Sequence, residues 1–285
     1  MSPYITVPLA LIAAPLIGGL LMGIDRKLTA RIQGRVGPPV LQPFYDVLKL
    51  LAKAPIALNR VQIFYAYLHL AFMLVVVTLL ALGQDMLMIL FAHAFSSVAL
   101  VLGGMCVRSP YSRIGSHRKI LQILAYEPIL VLLVVGIYLV APHSFMASSV
   151  LETGRPLVTQ LPLIFLAFLM AVAIKLDKSP FDVSSSHHGH QELIKGVTLE
   201  YSGPYLAVIE ITHMVEVALL FGVIAMFWAT NIAAGLSLAA GAFVFMIVLD
   251  NAFARLHPMW MVRYMWSIPM MLAVANVIWL YYRKS

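Results

Sequence analysis

Eight stretches of this sequence stay apolar for about 20 residues each, long enough to cross a hydrocarbon layer as helix. They lie near 3–24, 63–83, 86–107, 120–141, 157–176, 204–228, 232–249 and 262–282. Runs of that length exclude the ~10-residue alternation of a membrane β-barrel. Charged residues make up 11% of the 285, too few for an ordinary soluble domain, in which about a quarter are charged. The expected fold is an all-α integral membrane protein, one polytopic domain over 1–285 with eight transmembrane helices. The first run is too long for the apolar core of a signal peptide and reads as the first span. Two connections, 84–85 and 229–231, are so short that spans two and three, and spans six and seven, should pack as hairpins.

The net charge of +7 raises the question of nucleic acid or acidic partners. In a membrane chain it reads first as topology, with no nucleic acid implied. Loop 25–62 holds Arg26, Lys27, Arg31, Arg35, Lys49, Lys53 and Arg60. Loop 108–119 holds Arg108, Arg113, Arg118 and Lys119, and Lys175, Lys178, Lys195, Arg255 and Arg263 complete the set. With the N-terminus outside, every basic residue except Arg155, Arg283 and Lys284 falls on one side. The positive-inside rule then puts both termini outside and loops 25–62, 108–119, 177–203 and 250–261 in the cytoplasm, as a docking surface.

Loop 25–62 is too long to be a plain connector. Its segment PFYDVLKLLAKAP places Phe44, Val47, Leu48 and Leu51 on one helical face and Asp46, Lys49 and Lys53 on the other. That pattern predicts an amphipathic cytoplasmic helix between the first two spans, lying in the membrane plane. Arg26, Lys27, Arg31 and Arg35 precede it. They could anchor to lipid phosphate, or Gly34, Gly37, Pro38 and Pro39 could force a turn that presents Arg35 to a partner's carboxylates, which its planar fork binds in pairs.

Ionisable groups inside the spans need a reason, because a charge near the helix centre costs roughly 2.5–3.5 kcal/mol on insertion scales. His93, with Ser96 and Ser97, reads as an interhelical hydrogen bonder more readily than as a proton carrier. Glu127 precedes Pro128 in the fourth span, and it can handle protons or hold a neighbouring helix. Lys175, Asp177 and Lys178 close the fifth span and can be snorkelling anchors. Glu210, His213 and Glu216 recur at three-residue intervals on the sixth span, so they spiral along one flank. Fed by Glu200 and Asp177 from the loop, that ladder fits an ion path better than a satisfied core pair. His187, His188 and His190 invite a zinc reading, yet no cysteine accompanies them and the spacing fits no common tetrahedral site. They read instead as a titratable surface against another subunit. The single cysteine, Cys106, supports neither a disulfide nor an iron–sulfur cluster. No metal, cofactor or catalytic residue is therefore expected on this chain, and any redox chemistry belongs to another one.

Two motifs carry a resemblance. SPFDV…HQELIKGVTLEYSG (179–203) resembles a signature of the large-loop membrane subunit of respiratory complex I, its subunit one. DRKLTARIQGRVGP…LQPFYDVLKLLAK (25–53) resembles that family's other signature, after its first helix. The chain departs from the pattern at Asp25, where the family usually has glutamate, in its shorter first loop, and at Ser184–His188, where quinone-dependent members are glutamate-rich. The run SSSHHGHQE is similar instead to the Ech-type energy-converting [NiFe] hydrogenases. The chain most resembles their smaller membrane protein of the subunit-one kind.

The resemblance implies a non-redox coupling subunit in the inner (cytoplasmic) membrane, crossing it several times. It implies ferredoxin-linked partners carrying [NiFe] and [4Fe-4S] centres: the hydrogenase large and small subunits, an iron–sulfur subunit and an antiporter-like membrane subunit. Glu127, Asp177, Glu200, Glu210, His213 and Glu216 would form the proton path. Arg26, Arg31, Arg35, Asp182, His187, His188 and Glu192 would form the junction with the soluble arm. The rivals are a quinone-binding subunit of a complex I-like NADH dehydrogenase, a formate hydrogenlyase subunit, and a stand-alone secondary transporter, which would usually show an internal repeat.

Overall fold

The computed structural model describes residues 3–56, 59–141, 144–184 and 195–284. His187, His188 and Glu192 fall outside the described residues. In chain order the helices are α1 (Pro3–Ile32), α2 (Gln42–Leu51), α3 (Arg60–Ala81), α4 (Met86–Met105), α5 (Pro110–Val140), α6 (Ser149–Glu152), α7 (Leu157–Gln160), α8 (Pro162–Lys175), α9 (Gly203–Met226), α10 (Ile232–Ala252) and α11 (Pro258–Lys284). A 3-10 turn at Gly196–Thr198 leads into α9, and no strand occurs among the described residues. Apolar runs become helices because hydrocarbon offers no partner to a free backbone group. Their starts follow local chemistry. Asn59, Asp85 and Asn231 accept from the first backbone N–H groups of α3, α4 and α10. Pro110, Pro162 and Pro204 occupy first-turn positions where an N–H would go unused.

Among the described residues, seven helices (α1, α3, α4, α5, α9, α10 and α11) are long and apolar enough to cross a membrane. The expected fifth span, 157–176, is built differently. It breaks at Leu161–Pro162 into the single turn α7 and the 14-residue α8. At about 1.5 Å per residue α8 rises only ~21 Å, less than the ~30 Å hydrocarbon layer. A short helix is tolerated here because it meets protein at its ends. Ala171 to Lys175 are all buried, and α5 and α11 pack along it. The buried Asn276 of α11 repairs the break, accepting from Leu163 N at 2.9 Å and Ile164 N at 3.1 Å and donating to Gln160 O.

Two other boundaries move. α1 runs on through Arg26 to Ile32, and α5 begins at Pro110, so most of the expected loop 108–119 is helix. Hydropathy marks where the apolar layer ends, whereas a helix can continue into water. α3 pairs closely with α4, and α10 lies against α9. α1 approaches α9 closely because Gly18 has no side chain; a Cβ there would stand 1.7 Å from Met214 O. α2 forms where the amphipathic segment was expected, but its buried residues are Pro43 and Val47, and Val47 is set against Ala207 and Met214 of α9. Leu48 and Leu51, expected on the same face as Val47, point outward.

Candidate functional site

Packing α4, α5, α8 and α9 together encloses a group of polar side chains. Glu216, midway along α9, is 7% exposed, and Lys175, the last residue of α8, is 4% exposed. Lys175 Nζ stands 2.9 Å from Glu216 Oε1. It donates to Ser97 Oγ of α4 and, at 3.0 Å, to Tyr126 Oη of α5, two aligned hydrogen bonds beside the ionic contact. Burying a lysine and a glutamate costs several kcal/mol per ion, and only mutual attraction plus further hydrogen bonds offset that. The lysine is well served. The glutamate is not: its Oε1 is close to the ammonium but off the line of a hydrogen bond, and no aligned donor among the described residues reaches it.

Two histidines complete the group. His93 Nε2 lies 3.5 Å from Glu216 Oε1, and His213 Nδ1 lies 3.5 Å from Oε2. Both distances are too long for a good hydrogen bond and short enough for one to form with a small shift. His69 of α3 lies within electrostatic reach of Glu216 and Lys175. Its Nδ1 is 2.8 Å from the Ser96 carbonyl oxygen. A carbonyl can only accept, so Nδ1 carries the proton and Nε2 is left basic. This arrangement can trade protons among a carboxylate, two imidazoles and an ammonium; His93, Lys175 and Glu216 are buried, and His213, partly exposed, forms its open edge.

The six residues expected along a proton path are thus distributed over the molecule. His213 and Glu216 join this cluster. Glu127 is half-buried beside Tyr126, feels the charge of Lys175, and keeps one buried oxygen without a hydrogen bond among the described residues. Glu210, six residues before Glu216, is half-buried and makes no ion pair or hydrogen bond among the described residues. Glu200 lines a cleft of about 550 Å³ with Asn59, Cys106 and Arg108.

Asp177 lies in the segment after α8, which is tied down on every side. Its carboxylate accepts from Lys119 Nζ at 2.9 and 3.0 Å, Gln122 Nε2 at 2.8 Å and Ser184 Oγ at 3.1 Å. Burial pushes its carboxyl upward, but Lys119 and the hydrogen bonds outweigh that and hold it below the usual carboxylate range. Lys178 reaches Asp25 of α1 and Asp250 of α10. Burial would lower its ammonium, yet the two carboxylates hold it above its ordinary value. Asp182 binds Arg255 through both carboxylate oxygens at 3.0 Å. Of the expected junction arginines, Arg26 pairs with Asp46 of α2 at 2.9 Å, Arg35 is exposed and bonds Gln33, and Arg31 is exposed.

Sequence reasoning passed over Lys175, Tyr126, Ser97 and His69 as members of one site. The available signal was weak: each is a polar residue in or at the end of an apolar run, and they come from four different helices. Among the described residues, no group of three His, Cys, Asp or Glu side chains is arranged to hold a metal ion.

Comparison with known proteins adds a lineage to this geometry. The profile of a family described as NADH dehydrogenase matches residues 5–281. Hydrogenase-4 component C of Escherichia coli is 30% identical over 204 residues, covering 66% of this chain and 63% of that protein. Formate hydrogenlyase subunit 4 of the same organism is 31% identical over 205 residues, covering 66% and 65%. This chain therefore spans slightly less than two thirds of either protein. The H subunit of NADH-quinone oxidoreductase from Geobacillus kaustophilus is 27% identical over 306 residues, covering 94% and 90%. The fold matches a chain in the membrane-bound sulfane sulfur reductase, an archaeal respiratory membrane complex, with TM-score 0.87 and 22% identity over 98% of this chain and 100% of that one.

Proposed function

We propose, because this chain belongs to the NADH dehydrogenase family of complex I-like membrane subunits, that it is the non-redox coupling subunit of a ferredoxin-linked, energy-converting [NiFe] hydrogenase. The observation that carries the reading is the buried Lys175–Glu216 pair, flanked by His93 and His213 at distances that invite exchange. α8 would serve as an eighth, protein-sheltered crossing, with both termini outside and α2 at the cytoplasmic surface of the inner membrane. The large and small hydrogenase subunits and an iron–sulfur subunit, holding the [NiFe] and [4Fe-4S] centres, would dock on the loops beside Arg31 and Arg35. An antiporter-like subunit would lie alongside in the bilayer. Electron transfer above the loop at 176–184 changes the local charge there. That change biases the Lys175–Glu216 contact, and the carboxylate then takes up or releases a proton.

A quinone-linked reading draws on the NADH-quinone oxidoreductase relatives; the one from Geobacillus kaustophilus covers more of the chain than the hydrogenase relatives do. Mass spectrometry of the gently solubilised complex separates the two. A nickel–iron subunit is expected, and a quinone enzyme in its place would overturn the hydrogenase assignment. In membrane vesicles, Glu216→Gln should keep dye-linked hydrogenase activity within about twofold and reduce the ion gradient at least tenfold. A normal gradient in that variant would sink the coupling role itself.

A further inference from the structure

Two sets of packed helices leave a groove between them. α8 packs against α5 and α11, and α10 packs against α9 and α1. Phe165 and Leu169 of α8 form one wall, and α10 from Ala234 to Phe245 forms the other. Trp228 stands at the Ala234 end, and the space, about 340 Å³, is open along one side. At the opposite end Asp250 ties α10 to the segment after α8, accepting from Ser179 N at 2.8 Å and Lys178 Nζ at 3.1 Å. The walls are firm and apolar. The Phe165 ring lies 4.8 Å from the ring of Phe227 behind it. Ser237 turns its hydroxyl back to Ala234 O at 2.8 Å, so the α10 wall presents carbon. A Cβ on Gly241 would meet no atom within 4 Å, so the space continues over that residue. Both walls forfeit dispersion contacts unless something fills it.

Size selects the occupant. From Ala234 to Phe245 the helical wall is about 16 Å long. Spread over that length, the 340 Å³ has a section of about 20 Å², that of one extended hydrocarbon chain. A helix, about 10 Å across, would need roughly four times as much. The Trp228 end supplies what a lipid head would bind. The indole N–H of the half-buried Trp228 has no acceptor among the described residues, and tryptophan favours the level of the headgroups. Val158 N donates to Phe227 O at 3.1 Å, which brings the start of α7 to this end. Arg155 precedes it by three residues, at most about 10 Å of chain, and is exposed with no ion pair among the described residues. Its planar fork suits a phosphate. We propose that the groove holds one acyl chain of a bilayer phospholipid, with the phosphate toward Arg155 and Trp228. Moving from bilayer to groove gains the chain no hydrophobic energy, because lipid tails are as apolar as the walls. Close packing on two sides and the charged headgroup contact hold it instead. The site stands whether or not Glu216 exchanges protons.

The complete complex, reconstituted into phosphatidylglycerol vesicles, would carry as probe phosphatidylglycerol with a diazirine midway along one acyl chain. One portion is photolysed in the vesicles and another after exchange into dodecyl maltoside, and labelled residues are read by mass spectrometry. Label on Phe165, Leu169, Leu238 and Phe245 should survive the exchange with less than a twofold loss. Gly241→Leu fills the open space over that glycine and should cut the label at least fivefold. Ser237→Leu, one turn away on the same wall, should do the same. Arg155→Gln should cut the label retained in detergent at least threefold, and full retention would overturn the headgroup end of the site. Absence of label in the vesicles would mean that protein covers the groove. Loss of the label on exchange would mean ordinary boundary lipid, and undiminished label in both leucine variants would place the chain elsewhere. If both leucine variants block assembly, a partner's helix occupies the groove. Each of these four results overturns the lipid site.

Discussion

Lys175 and Asp177 are two residues apart in the chain, yet they end in charge clusters built on opposite plans. Around Asp177, Lys178 and Asp182 each carboxylate accepts at least one aligned hydrogen bond, and the partners come from α1, α5, α10 and the connection before α11. Around Lys175 the cation has two aligned hydrogen bonds and the anion none among the described residues: Glu216 has one unaligned contact at 2.9 Å and two imidazoles at 3.5 Å. A network of aligned bonds holds one geometry. An unsaturated one in a dry site has states close in energy, and exchange requires that. Asp25 also keeps one buried oxygen without a hydrogen bond, so what separates the clusters is that Glu216, alone among their carboxylates, accepts no aligned bond at all among the described residues.

The hardest blow to this comparison is Lys175→Met. Removing one partner of a buried pair strands the other charge, so a loss of about 3–5 kcal/mol is expected. It would be read as a fall in assembled complex and in its melting temperature. The double variant Lys175→Met with Glu216→Met should regain most of that stability, because buried pairs often tolerate apolar replacement, and should still form no gradient. If the single variant were as stable as the parent, the pair would not be the buried, interdependent unit the geometry implies.

Asp177→Asn should be milder, costing about 1.5–3 kcal/mol for charged hydrogen bonds lost from a half-open site. Its pH dependence has a fixed sign. The Asp177 carboxyl is held low in the folded chain, so its stabilisation is present above the ordinary aspartate pKa of about 3.9 and disappears as pH falls through the lower folded value. Lys178 is held high, so its share is present below about pH 10.4 and is lost as pH rises through the folded value. Between about pH 5 and 9 the stapled loop should therefore contribute a constant amount. Melting curves of the parent and Asp177→Asn complexes should run parallel across that window and converge below pH 4. Divergence inside the window would mean the loop titrates with the coupling cluster.

Much of the bundle was legible in the sequence because span length and hydrophobicity are set by the bilayer, whatever the tertiary packing. Glu216 was legible for the same reason: a carboxylate in the middle of an apolar helix has few innocent explanations. Lys175 was not, since a lysine at a helix end normally snorkels to water. Here α8 is short and starts late at Pro162, and its C-terminus is buried inside the bundle, so the lysine is delivered inward. Tyr126, Ser97 and His69 were hidden because their meaning lies in contacts between different helices, which periodicity within one helix does not encode. Asp177 had a visible charge and an invisible set of partners, so a stapled carboxylate resembled a free one.

Glu210 separates the two plans most finely, because it fits neither. It sits about 9 Å along α9 from Glu216, half-buried, with no described partner to saturate it and no described group linking it to His93 or Lys175. Glu210→Gln keeps the side chain's size and removes a charge that offsets nothing nearby. Stability should change by no more than about 0.5 kcal/mol, as for substitutions away from any network. The ion gradient should stay within twofold of the parent, because Glu210 makes no described contact with the Lys175–Glu216 group. A variant that assembles normally but loses its gradient would instead place Glu210 on the working route, with carboxylates running from Glu200, just before α9, through Glu210 to Glu216.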